Sequence, residues 1–237
     1  FNLEMDTKES GFTSKLVHAG KIKDNHGSAI TPIYQTSTFS FTDADQGARC
    51  FSGEEKGYIY TRLGNPNIEE LETAVAELEN GFGGIATSSG MAAVNTVYLT
   101  LLGQGDHMIG HNAVYGPSLS IMEKLYPKFG VEYDFVDTTD IHNIEKVIKP
   151  NTKLLYLETP ANPTMGITDL KAATELAHKH GIIVCVDNTF CSPYLQRPID
   201  FGVDIVLHSL TKFINGHADV VGGVIVAKEE GLYKQLK

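Results

Sequence analysis

The segment His208-Ser209-Leu210-Thr211-Lys212 places two hydroxyls and an amine directly after the apolar run Ile205-Val206-Leu207. Hydroxyls donate to phosphate oxygens, and a lysine amine in a water-poor cationic site can lose its proton and form an imine with a carbonyl. Most loop lysines are solvated, so Lys212 needs companions for this chemistry. A second apolar run, Ile182-Ile183-Val184-Cys185-Val186, ends in Asp187-Asn188-Thr189 and delivers a carboxylate to the end of a buried strand, where capping or turn formation is the competing role. The third piece, Thr87-Ser88-Ser89-Gly90-Met91-Ala92-Ala93, passes through glycine into a helical stretch, whose free N–H groups and dipole form an anion site. The two hydroxyls and the amine are complementary to a phosphate and an aldehyde, and the carboxylate and the anion cradle are the companions they need.

These pieces cooperate only if the fold brings them to one edge. Apolar runs at Ile85-Ala86, Met108-Ile109, Glu132 to Val136, Leu154 to Leu157, Ile182 to Val186, Ile205 to Leu207 and Val224 to Val226 are strand candidates. Helical periodicity near residues 67–80, 91–102, 117–127, 140–149 and 169–180 lies between most of them, with Gly81 as the expected stop of the first. Such alternation predicts a mostly parallel α/β sheet flanked by helices, in which ligands sit beyond the carboxyl ends of the strands. Residues 1–62 show little periodicity and read as an extended N-terminal arm, leaving 63–237 as the α/β domain.

Composition narrows the classes. The 237 residues are 42% hydrophobic and 20% charged, an ordinary globular balance, and 19 basic against 29 acidic side chains give a net charge of −10. With no lysine or arginine run, nucleic acid and anionic membrane are poor partners. No apolar stretch approaches the roughly 20 residues of a membrane helix, and the polar start has no signal-peptide pattern, so a soluble cytoplasmic protein is expected. Cys50, Cys185 and Cys191 are far apart and lack metal-ligand spacing, which fits reduced thiols and no structural metal. Cys191 is assigned to packing, and His208 and His217 to structural roles. The chain has no initiator methionine and stops inside an opening helix at 229–237, so it reads as a fragment.

The motifs then accumulate in order: Tyr58-Ile59-Tyr60-Thr61-Arg62, Gly64-Asn65-Pro66, Ser88-Ser89-Gly90-Met91, Tyr115-Gly116, Glu158-Thr159-Pro160-Ala161-Asn162-Pro163, Val186-Asp187-Asn188-Thr189 and Ser209-Leu210-Thr211-Lys212. From about residue 14 to the end they resemble the Cys/Met-metabolism enzymes that use pyridoxal 5′-phosphate (PLP). Phe51 to Gly57 and Phe129-Gly130-Val131-Glu132 look most like the methionine γ-lyase branch, whereas Pro117 stands where that branch typically carries cysteine.

The resemblance implies an aspartate aminotransferase-like large domain, with a smaller C-terminal domain, bearing the arginine for the substrate carboxylate, beyond Lys237. It implies that Lys212 binds PLP as a Schiff base and that Asp187 pairs with the protonated ring nitrogen. Gly90, Met91, Ser209 and Thr211 would hold the phosphate, Tyr115 would stack on the ring, and Asn162 would donate to the phenolate oxygen. Tyr60 and Arg62 would reach the phosphate of a neighbouring subunit, making a homo-oligomer of shared sites, a dimer or tetramer. The implied reaction is α,γ-elimination of L-methionine, with Lys212 as base and Tyr115 as acid. Cystathionine γ-lyase, O-acetylhomoserine sulfhydrylase or γ-synthase chemistry is the alternative, and a non-catalytic assembly fragment is the alternative of another class.

Overall fold

The computed structural model describes residue 7 and residues 9–237, and the chain divides into two compact units, Phe1–Ala74 and Val75–Lys237. In the first, α1 (Phe12–His18) and α2 (Ala44–Ser52) interrupt the stretch expected to be extended. Local capping, rather than a long apolar stripe, makes α2. The Asp43 carboxylate accepts from Gln46 N–H at 2.7 Å, the Gln46 side chain accepts in return from Thr42 N–H at 2.7 Å, and Gly53 closes the helix with φ 78°. The extended remainder is tied by asparagines: Asn67 Nδ2 donates to Pro32 O at 2.8 Å and Asn65 Nδ2 to Tyr34 O at 2.9 Å. The unit boundary falls within α3 (Pro66–Glu79).

The second unit contains the seven strands that the apolar runs predict: β1 (Gly83–Thr87), β2 (His107–His111), β3 (Glu132–Val136), β4 (Thr152–Glu158), β5 (Ile183–Asp187), β6 (Ile205–Ser209) and β7 (Gly223–Ala227). They form one sheet in the order β1-β7-β6-β5-β4-β2-β3. The pairs among β2 to β6 are parallel, and β7 is antiparallel to both β6 and β1. Helices provide the crossovers, namely α4 (Gly90–Leu101), α5 (Gly116–Lys124), α6 (Ile141–Val147) and α7 (Leu170–Lys179), followed by the short α8 (Ser192–Leu195) and α9 (Glu230–Leu236). No crossover helix separates β6 from β7, so the chain turns back at the edge where β6 ends and β7 must run antiparallel.

Strands β4, β5 and β6 carry near-continuous apolar residues because both faces are covered. On one face Val94, Val97 and Tyr98 of α4, Met122 of α5 and Leu236 of α9 pack with Leu154, Tyr156, Cys185 and Ile205. Tyr98 meets the rings of Tyr126 and Tyr156 edge-on at 5.5 and 5.3 Å, each pair contributing about 0.5–1.5 kcal/mol beyond its buried area. The opposite face is covered through α7, whose Ala173 and Ala177 are buried.

Two boundaries differ from expectation. The helix expected over 117–127 stops at Lys124 and gives way to a 3₁₀ turn, Tyr126–Phe129, because Pro127 has no N–H and its ring clashes with the preceding turn. Helix α3 ends at Glu79, and the stop expected of Gly81 is made by Asn80, which takes the left-handed conformation (φ 61°). Gly81 serves a different need: a Cβ there would lie 3.0 Å from Ala227 O and still closer to Val226 Cγ1. Gly81→Ala is expected to lower stability by about 1–3 kcal/mol through overpacking against β7. Urea unfolding measures this, and an unchanged midpoint would contradict the packing argument.

Candidate active site

The antiparallel strand brings the anion cradle beside the lysine loop. Gly223, the first residue of β7, pairs with Thr87 on one side and Ser209 on the other, so β1 and β6 end level with each other. Beyond Thr87, Ser89 caps α4 by accepting from Ala92 N–H at 3.1 Å, and the first-turn N–H groups of Gly90 and Met91 have no intrahelical acceptor. A Cβ on Gly90 would lie 2.8 Å from Ser209 Cβ and 3.0 Å from Ser209 Oγ. Glycine therefore lets the helix start and the Ser209 hydroxyl face the same small space.

The return connection 210–222 stays at this edge. Leu210 N–H donates to Gly222 O at 2.9 Å, and the Thr211 hydroxyl accepts from Gly222 N–H at 3.3 Å. Lys212 sits on the resulting turn, its carbonyl accepting from Gly216 N–H at 2.9 Å. Here a cavity of about 360 Å³ opens, and Gly90, Met91, Tyr115, Asn162, Asp187, Ser209, Thr211 and Lys212 all line it. Every site residue anticipated between 75 and 237 is thus in one cavity. Tyr60 and Arg62 are not among its walls. They lie in the first unit, with the Arg62 guanidinium 5.6 Å from the Tyr60 ring centroid, beside a separate hollow formed with Tyr34 to Ser37 and Thr61.

Electrostatics distinguish Asp187 from an ordinary turn aspartate. It is buried, and burial pushes its carboxyl above the usual range against the opposing effect of Thr189 and His208. Its Oδ1 accepts from Thr189 Oγ1 at 2.5 Å and from Thr189 N–H at 3.1 Å, and the Thr189 hydroxyl accepts in turn from Ser209 N–H at 2.8 Å. Oδ2 receives only a long bond, 3.5 Å, from the Tyr156 hydroxyl. One oxygen is therefore committed to the protein and the other has room for a stronger donor.

Sequence reasoning missed Glu158, Ser118 and Thr189 as members of the cavity wall. Glu158 could have been found by analogy with Asp187, since each is the last residue of a buried strand and the two are cross-strand partners. Its carboxyl is pushed up to about 7 by burial and by the Asp187 charge. His208 has a structural partner, its Nε2 lying 2.6 Å from Glu79 Oε1 with both side chains fully buried. Burial raises the Cys191 thiol, which disfavours the thiolate a nucleophile requires.

The model of the Cys/Met metabolism PLP-dependent enzymes matches residues 13–237. The chain belongs to that family. It is 49% identical over 95% of its length to an L-methionine gamma-lyase of Treponema denticola, covering 57% of that protein. It is 47% identical over 94% to a cystathionine beta-lyase, MetC, of Bacillus subtilis, covering 55% of it. The crystal structure of metB from Corynebacterium glutamicum superposes with a TM-score of 0.91 at 42% identity, over 98% of this chain and 58% of that one. The chain thus spans a little over half the length of the relatives it matches, and its sheet with flanking helices is the large-domain fold of the PLP family.

The residues present fit the family cofactor. Free helix-start N–H groups and two hydroxyls suit its phosphate, the spare oxygen of buried Asp187 suits a protonated ring nitrogen, and the Tyr115 ring borders the same cavity as the Lys212 amine. Among the described residues no helix is long and apolar enough to cross a membrane, and no group of three or more His, Cys, Asp or Glu could hold a metal ion.

Thr189→Val tests the Asp187 environment. The lost hydroxyl favours the anion, so its removal should raise the Asp187 carboxyl further. A folded pKa raised above the unfolded one contributes stability that is complete at low pH and is lost as pH rises. The deficit of the variant should therefore be smallest in acid and grow to about 1–3 kcal/mol towards neutral pH. Denaturation at both pH values measures it; a deficit largest in acid would refute the assignment.

Proposed function

We propose that the protein is a PLP-dependent carbon–sulfur lyase that converts L-methionine and water to methanethiol, 2-oxobutanoate and ammonia. The observation carrying this reading is the meeting of Lys212, buried Asp187 and the Gly90 helix start in one cavity. Likeness to an L-methionine gamma-lyase supports the choice of substrate. Bound PLP supplies an aldehyde for amine condensation and a ring that withdraws electrons from the substrate Cα.

Within that frame Lys212 would hold the cofactor through its Nζ, and the same amine would take the proton from the substrate Cα. Asp187 Oδ2, with room for a stronger donor, would keep the ring nitrogen protonated. Gly90 and Met91 N–H with the Ser209 and Thr211 hydroxyls would hold the cofactor phosphate, and Tyr115 and Asn162, which line the same cavity, would hold its ring. The Tyr115 hydroxyl protonates the departing sulfur, a positioned proton transfer contributing about 10²- to 10⁴-fold. Tyr60 and Arg62 serve the phosphate of a neighbouring copy, in a dimer of shared sites that pairs into a tetramer. The exposed apolar side chains of Phe213, Tyr194, Leu195 and Val221 supply surface on which such an assembly could close.

Pro117, in the first turn of α5 beside Tyr115, supports a second reading in which cystathionine or O-acetylhomoserine with sulfide is the preferred substrate. Steady-state assays of the full-length protein on the three substrates separate these, and negligible methanethiol from methionine would sink the first choice. Lys212→Ala should lower turnover at least about 10²-fold and abolish the borohydride-fixed cofactor on the peptide containing residue 212. Persistence of that labelled peptide would overturn the role of Lys212. Mixing inactive Lys212→Ala and Arg62→Ala subunits should recover activity that neither shows alone, since one shared site then carries both native residues. No recovery in a proven mixed oligomer would exclude shared sites.

A further inference from the structure

The carboxyl group of Glu158 accepts two bonds from backbone N–H groups outside its own strand. Its Oε2 accepts from Tyr115 N–H at 2.6 Å and its Oε1 from Asn162 N–H at 3.1 Å. Tyr115 begins α5 after β2, and Asn162 lies in the connection between β4 and α7. Neither N–H has a backbone acceptor among the described residues. One side chain, only 2% exposed, therefore fastens both segments that carry the proposed ring-contacting residues.

Its neighbour gives the clamp a second property. Glu158 and Asp187 are partners on adjacent parallel strands, and both line the cavity. Two buried carboxyls side by side resist being ionised together. The other titratable groups around Glu158 are Tyr98 from α4, Tyr156 on its own strand, and Tyr115 and Lys212 in the cavity wall. A cation against Asp187 Oδ2 would relieve the repulsion, and a fully ionised Glu158 accepts stronger, charge-assisted bonds than a protonated one.

We propose that Glu158 is a positioning residue that clamps Tyr115 and Asn162 through their backbone N–H groups and tightens this grip when the charge on Asp187 is compensated. This rests on the PLP reading for the identity of the compensating cation, whereas the clamp itself rests on the two bonds. Since burial and the uncompensated charge of Asp187 push the Glu158 carboxyl up to about 7, its acceptor strength should rise with pH through that value, and at lower pH once the cofactor is bound.

Hydrogen exchange read by mass spectrometry on the full-length protein tests this, using peptides covering residues 112–118 and 159–165 across a pH series, before and after loading with PLP. Corrected for intrinsic rates, protection should rise through about 7 without the cofactor, and the midpoint should fall on loading. Glu158→Gln turns an N–H₂ group towards one of the two amides. Exchange there should speed up on the order of 10-fold and lose its pH dependence, with peptides from β5 and β6 unchanged.

Flat protection across pH in the native protein would overturn the proposal even if the variant fails to fold. So would an unchanged midpoint in protein whose visible absorbance shows the cofactor bound, or native-like exchange in a folded variant. Absence of the cofactor band after loading would instead overturn the PLP reading, and the unloaded pH series would still decide the clamp.

Discussion

A carboxylate at the end of a strand buried on both faces has lost most of its water, and the protein must supply the missing donors. The edge of this sheet is organised around that requirement at Asp187. Thr189 provides two donors from the turn immediately following, and Tyr156 reaches across from β4 with a third, longer one. Supply stops short of saturation, so burial still raises the carboxyl. A fully satisfied aspartate would have little to offer a ligand, and an unsatisfied one would have neutralised itself by taking a proton.

The surroundings of Asp187 are braced by buried rings and by a hydrogen-bond network. Beneath it, Tyr98 and Tyr156 are fully buried and meet edge-on, leaving its supports little freedom. From the loop after β5, Asn188 Nδ2 donates to Glu79 Oε1 at 2.9 Å and to Gln196 O at 2.7 Å, while Gln196 Nε2 donates to Thr159 O at 2.9 Å. That network ties together the segments following β4 and β5. The His208–Glu79 contact extends it to the strand that carries Ser209. Rigidity of this kind is what a site needs to present several weak contacts to one ligand at fixed distances.

Strand direction then completes the assembly. Because β7 returns from the edge at which β6 ends, the segment with Thr211 and Lys212 lies along the cavity mouth. Because β1 pairs with that same returning strand, Gly90 arrives against Ser209. The cradle and the lysine come from segments over a hundred residues apart, and the single antiparallel strand between them sets their spacing.

Much of this was legible in the sequence. The seven runs are the seven strands: in β4, β5 and β6 burial on both faces forces near-continuous apolar residues, whereas β3 at the end of the sheet keeps Glu132 and Asp134 among its apolar residues. Asp187, Lys212 and Gly90 stand out as polar or glycine breaks at strand ends. The ordered motifs alone identify the family. Less legible were α2, built by Asp43 and Gln46 without a long periodic stripe, and the early stop of α5 at Pro127. Glu158 stands in the motif that runs to Pro163, but no local pattern shows its place in the cavity, because its bond to Tyr115 N–H joins residues 43 positions apart, even though its bond to Asn162 N–H spans only four. Residue types and local spacing determined which groups could do chemistry and on which strands they would ride. Only the tertiary structure decided that two carboxylates would stand side by side and that one would bind two loops, because strand order and the return of β7 arise from packing between segments that no local pattern encodes.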